Sequence, residues 1–284
     1  MRVPHTIVAA LLLGTLLVGA TAQAAPVDAP LKLIRGEATT TRQNLILNAN
    51  FETCNFSQFD GMEAAPHEIL IVNTPVRAGR CAGRFLIRKN DWNIGGSKRR
   101  AEAKNNGAGG PNIAGAKERW FALSVYLPPD WYTASTAAQD DIVFQIHDRP
   151  DSCETFRHPP LVLSIVNNQI RWQVRWDAKR CSTWVRGPKT VFSTPIIKGG
   201  WMDFVVHVRW SFQSDGFTEV WYQGQKVARY NGPVGYNDGR EMYLKTGIYR
   251  TPWPKEMPSS RVVYIDEVRI GNANATYADM APGN

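Results

Sequence analysis

Side-chain alternation constrains this chain more than any other feature. From Asn44 onward it breaks into short runs in which every second residue is apolar, separated by Gly, Pro, Asn and Asp. In Gln169–Trp176, Ile170, Trp172, Val174 and Trp176 alternate with Gln169, Arg171, Gln173 and Arg175. In Met202–Trp210, Met202, Phe204, Val206, Val208 and Trp210 alternate with Asp203, Val205, His207 and Arg209. A two-residue period puts one set on a buried face and the other on a polar face of a strand. Strands are expected at Glu68–Asn73, Arg84–Arg88, Arg119–Tyr126, Asp141–His147, Leu161–Val166 and Gln169–Trp176. Further ones are expected at Trp201–Trp210, Thr218–Tyr222, Gln225–Tyr230, Glu241–Tyr249 and Val262–Ile270. Asn167-Asn168 and Gln223-Gly224 are hairpin-turn steps. No segment holds a helical period over three turns. The pattern predicts an all-β fold, a jelly-roll sandwich of two antiparallel sheets.

The amino terminus reads as an export signal over residues 1–24. Met1-Arg2 supplies the positive start, Ile7 to Ala20 the apolar run, and Ala22-Gln23-Ala24 a small-residue cleavage site. Residues 25–43 read as a flexible leader and 44–284 as a single domain. Without the signal no membrane association is expected, and the protein is read as secreted or periplasmic. Four cysteines fit that compartment. The lack of a Cys-x-x-Cys pair argues against a zinc knuckle or thioredoxin-like site. Cys54–Cys81 with Cys153–Cys181 is the favoured pairing, because both loops are local and similar in size. Lys and Arg outnumber Asp and Glu by 33 to 25, and the pI is near 9.4, which points to a polyanionic partner. The charge forms no dense tract, which favours a long groove over a basic tail.

Three separate strand-like segments carry the chemistry. They are Arg100-Ala-Glu102-Ala-Lys104, Gln145-Ile-His147 and Tyr243-Leu-Lys245-Thr-Gly247-Ile-Tyr249. Within each, the polar residues share one face. As neighbours in a sheet they would gather Arg, Gln, His, Lys and Tyr into one patch. That set suits removing a poorly acidic proton beside a carboxylate. Arg100 is a charged planar fork and Gln145 an amide donor for that carboxylate. His147 or the Tyr249 phenolate can serve as base. Lys245 is expected to hold a substrate carboxylate or to depress the Tyr249 pKa. Glu102 is expected to orient Arg100 or Lys245, and Tyr243 reads equally as packing or as site.

Together and in this order, the segments resemble the jelly-roll polysaccharide lyases: the alginate lyases of polysaccharide lyase family 7, with glucuronan lyases and heparin lyase I as relatives. The resemblance covers roughly Phe51 to Gly271 and implies a concanavalin A-like sandwich. The first motif departs at Lys104, where the alginate lyases carry Arg, and Thr251 stands where they usually carry Gln. The Asn50-Phe51-Glu52 start and Asp266-Glu267-Val268-Arg269 end look closer to the heparin and glucuronan lyases. The family implies β-elimination at a uronate in a glucuronan-, alginate- or heparin-like polymer, leaving a 4,5-unsaturated end. It implies catalytic roles for His147, Tyr249, Gln145 and Arg100, with Tyr249 protonating the leaving O4. Lys245, Glu102, Lys104 and Tyr243 are expected to bind substrate, joined by Arg171 and Arg175 if their strand lies in the same sheet.

A non-catalytic acidic-polysaccharide lectin on the same fold is the alternative. It would need Arg100 and Lys245 but not His147 and Tyr249 together. A jelly-roll glucanase needs Glu-x-Asp-x-x-Glu, which is absent here. No nucleic-acid recognition motif appears. No cofactor or catalytic metal is expected, a structural calcium stays open, and a monomer is expected. Asn105–Gly115 and Asp148–Pro160 read as loops beside the site, the second held by its cysteine. Trp92 and Trp253 are the tryptophans expected to stack on sugar.

Overall fold

The computed structural model describes residues 43–65, 67–91, 99–110, 118–133, 140–250 and 253–283. The export signal, nearly all of the leader, Trp92, Thr251 and residues 111–115 lie outside that set.

In chain order the strands are β1 (Leu45–Ala49), β2 (Gly61–Glu63), β3 (Ile69–Val72), β4 (Ala82–Arg88), β5 (Arg99–Gly110) and β6 (Glu118–Tyr126). Then follow β7 (Asp141–His147), β8 (Leu161–Val166), β9 (Gln169–Asp177), β10 (Arg186–Pro195) and β11 (Trp201–Arg209). The last are β12 (Phe217–Tyr222), β13 (Gln225–Asn231), β14 (Gly235–Tyr236), β15 (Met242–Arg250) and β16 (Ser260–Gly271), before a one-turn helix α1 (Tyr277–Met280). They form two sheets packed as a sandwich. One runs β13-β12-β11-β6-β16-β4-β3, with β1 on β16; the other runs β10-β9-β8-β7-β15-β5-β2, with β14 parallel to β9.

The apolar halves of the alternating strands meet between the sheets. Ile170, Trp172 and Val174 of β9 face Phe204, Val206 and Val208 of β11 in one core with Phe85, Phe121 and Phe144. Two expected hairpins close on residues with left-handed backbone: Asn167 and Asn168 between β8 and β9, Gln223 and Gly224 between β12 and β13. Both disulfides are Cys54–Cys81 and Cys153–Cys181, as the loop sizes suggested.

One expectation needs correction. Asn105–Gly110 is not loop but the second half of β5, with Asn105 opposite Leu244 and Gly110 opposite Met242. The polar side of β11, which alternation alone leaves open, lies on the sheet opposite the three motifs. There His207 stacks on Trp120 with centroids 4.1 Å apart and contacts Glu118 and Glu219. Trp253 packs against the core and donates to the Pro258 carbonyl at 3.1 Å.

Candidate active site

The three motif strands are neighbours, in the order β7-β15-β5. Their registers bring the polar residues side by side. Tyr249 pairs with Arg100, Lys245 with both Lys104 and Gln145, and Tyr243 with His147. Ala101, Ala103, Ile146, Leu244 and Ile248 turn inward to the core, so the polar set is forced onto the outer face. Gly247 sits at an irregularity in the β15–β7 ladder, with φ of 139°. A Cβ there would meet the Ala101 carbonyl oxygen at 2.1 Å and Phe85 at 2.7 Å, so only glycine lets β15 and β5 approach.

Above this face lies a cavity of about 830 Å³. Arg100, Gln145, His147, Tyr243, Lys245 and Tyr249 all line it, and Arg175 reaches it from β9. Glu102 lies beneath, fully buried, taking a 2.5 Å hydrogen bond from the Gln145 amide nitrogen. Because a carboxylate accepts, that bond fixes which way round the Gln145 amide sits. Burial pushes the Glu102 carboxyl up, against the opposing pull of Lys245 and Arg100. Lys104 and Arg171 do not line the cavity. Lys104 stands 3.9 Å from Glu63, and Arg171 is held by Asp140 at 3.0 Å.

Glu63, in the short strand β2, is the largest omission from the sequence reading. It accepts from Lys245 Nζ at 2.9 Å and from Arg100, and so holds both cations from the cavity side. Burial works to raise its pKa, but the hydrogen bonds and charges of Lys245 and Arg100 prevail and hold it below the usual glutamate value. Of the two roles expected for Lys245, to hold a substrate carboxylate or to depress the Tyr249 pKa, the second is not seen. Lys245 pairs with Glu63, and the charges acting on the Tyr249 phenol are those of Arg100 and Glu102. The cation beside Tyr249 is Arg100, 4.7 Å from the ring centroid. Burial raises the Tyr249 phenol, and Arg100 offsets this only in part.

His147 has its own support. Its Nδ1 lies 3.0 Å from the Asp148 carbonyl oxygen and 2.9 Å from the Asp148 carboxylate. With Nδ1 held as donor, Nε2 is the nitrogen left to accept a proton. Tyr243 stacks against the imidazole at 5.5 Å, and burial pushes its phenol up to about 12. Asp148 is bound in turn by the buried Arg157, which also binds Glu154 and Asp238. This hub anchors the loop that carries Phe156 and His158 into the cavity wall. Burial, with Arg175 and His147 nearby, lowers the His158 pKa. Adjacency to His147 marks Asp148 in the sequence; Arg157 and Asp140 carry no such signal.

A family model described as "Polysaccharide lyase" matches residues 51–269, well over half the chain. The chain belongs to the polysaccharide lyase family. Among proteins of curated function, none matches this lyase significantly in sequence. Solved structures share its fold. An endo-β-1,4-glucuronan lyase from the fungus Trichoderma reesei is 18% identical with a TM-score of 0.69, covering 84% of this lyase and 98% of that chain. A family 7 alginate lyase in complex with substrate is 14% identical with a TM-score of 0.51, covering 75% and 84%. The catalytic domain of a family 131 glycoside hydrolase from Coprinopsis cinerea is 15% identical with a TM-score of 0.55, covering 85% and 98%. Since lyases and a hydrolase share this sandwich, the chemistry of this lyase has to be argued from its side chains.

Proposed function

We propose that this lyase is exported and cleaves a uronic-acid-containing acidic polysaccharide by β-elimination. The observation that carries the reading is the gathering of His147, Tyr249, Arg100, Gln145 and Lys245 around one cavity on adjacent strands. The two disulfides fit an oxidising compartment, in line with the export signal.

The C5 proton of a uronate is a weak acid because the neighbouring carboxylate is already negative. Arg100, Lys245 and the second N–H of Gln145 meet that carboxylate and stabilise the charge that grows on it. His147 Nε2 takes the C5 proton, and Asp148 steadies the imidazolium that forms. The C5–H electron pair becomes the C4–C5 double bond as the C4–O4 bond breaks. Tyr249, kept protonated by burial, gives its proton to O4. This division of labour favours His147 over Tyr249 as the base.

Glucuronan is the first polymer to test, given the likeness to the glucuronan lyase along nearly all of that chain. Alginate and heparin-like chains follow. Mass analysis of the products is the deciding experiment. Elimination leaves a new non-reducing end one water lighter than hydrolysis does, and products of hydrolytic mass would overturn the reading.

A further inference from the structure

Two aromatic side chains stand out into solvent among the described residues: Trp184 is 78% exposed and Phe156 71%. The other exposed large hydrophobic residues are all non-aromatic. Each of the two lies three positions beyond a half-cystine, Phe156 after Cys153 and Trp184 after Cys181, and those cysteines are bonded to each other. Phe156 stands edge-on to His147 with centroids 5.9 Å apart. Thr183 and Val185, on either side of Trp184, line the cavity, while Trp184 itself stands outside its lining.

The segments that carry them are firmly joined. Besides the disulfide, Ser182 N donates to Glu154 at 3.1 Å, and Arg157 donates to the Ser182 carbonyl at 3.0 Å. Trp184 N donates to the Ser182 hydroxyl at 3.1 Å. A braced shelf that leaves a Trp and a Phe in water has little to offer stability, but it is preorganised for a flat ligand. Its charge narrows the ligand further. Residues 178–190 hold Lys179, Arg180, Arg186 and Lys189, all exposed, and no Asp or Glu, though Arg180 stands 3.9 Å from Asp151 across the disulfide-linked segments. An aromatic side chain in a segment this rich in cations suits a pyranose ring that bears a carboxylate.

The cavity runs across the strands, from Arg100 on β5 to the residues leading into β10. Five strand spacings separate β5 and β10 in the sheet order, about 24 Å in all. We propose that Trp184 and Phe156, with the cations of the Trp184 segment, form an outlying subsite that holds acidic sugar residues beyond the one being cleaved. The proposal rests on the lyase reading and adds that this enzyme selects long chains over short ones.

The test is titration calorimetry of Tyr249→Phe protein, with and without Trp184→Ala, using polyglucuronate and its fragments of graded length. Trp184→Ala should weaken polymer binding roughly three- to tenfold, the scale of one aromatic contact. The loss should fade as fragments become too short to reach the shelf. Phe156→Ala should show its loss at shorter fragments, because it stands beside His147. An unchanged melting temperature verifies the fold of each variant. Equal polymer binding with and without Trp184, or a loss independent of length, would overturn the subsite. Polymer binding that depends on Trp184, with no unsaturated product from the unsubstituted enzyme, would retain the subsite and remove the lyase reading. Failure of the parent to bind polyglucuronate, alginate and heparin would remove both.

Discussion

Arg100 and Tyr249 face each other across the β5–β15 ladder, and the guanidinium carbon lies 4.7 Å from the centre of the phenol ring. The same guanidinium is tied to Glu63 and stands 3.7 Å from Glu102. It therefore links Tyr249, the proposed proton donor, to Glu63 and Glu102. Replacing it with lysine keeps the charge but removes the planar fork. Arg100→Lys should lower kcat/KM by about 100-fold, the scale of one lost transition-state donor, measured by steady-state kinetics.

The Tyr249 phenol lies above its ordinary value of 10.0, because burial outweighs the pull of Arg100. If it acts as the acid, kcat/KM should stay flat through mildly alkaline pH and fall only above 10. A phenolate acting as base would instead make kcat/KM rise about tenfold per pH unit over that range. A pH–rate profile separates the two.

Glu63 bears on stability as well as on geometry. Its folded pKa is held below 4.5 after the cations overcome burial. A depressed carboxyl contributes stability that is fully present above the unfolded value and is lost as pH falls through the folded one. Glu63→Gln should cost about 1–2 kcal/mol at neutral pH. Denaturant titrations of the two proteins should converge once the pH is well below 4.5.

The third motif contains a glycine for a backbone reason. Gly247→Ala places a Cβ 2.1 Å from the Ala101 carbonyl oxygen at a φ of 139°. The β5–β15 contact must open to admit it, at a cost above about 3 kcal/mol. Thermal unfolding should show a lower melting temperature, and activity should fall because Tyr249 and Arg100 lose their register.

Asp148→Asn keeps an acceptor beside His147 Nδ1 but removes the charge that stabilises an imidazolium. A fall in kcat of roughly 100-fold is expected with polymer binding retained, read from kinetics and calorimetry together.

The site was legible where chemistry and alternation coincided. Arg100, Gln145, His147, Lys245 and Tyr249 each sit at alternate positions of strands whose other residues fill the core, so their shared face followed from the pattern. Glu63 escaped because three residues, Gly61–Glu63, form too short a run to show a period. Strand β10 escaped for another reason. Arg186–Pro195 is an edge strand, largely exposed, with Gly187 and Pro188 near its start, so no buried face imprints a pattern. Asn105–Gly110 has loop composition, yet pairing with β15 holds it extended, a case of tertiary context overriding propensity. The polar face of β11 was ambiguous because alternation tells that a side chain points outward, not from which sheet.

The central claim is that His147 and Tyr249 carry out an elimination. It is tested most directly by the ultraviolet absorbance of the conjugated unsaturated uronate while enzyme acts on glucuronan, alginate or heparin. The unsubstituted lyase should give a steady rise on at least one polymer. His147→Ala and Tyr249→Phe should each cut that rate by about a thousandfold without loss of fold or polymer binding. New reducing ends without absorbance, or either variant near the parent rate, would contradict the account.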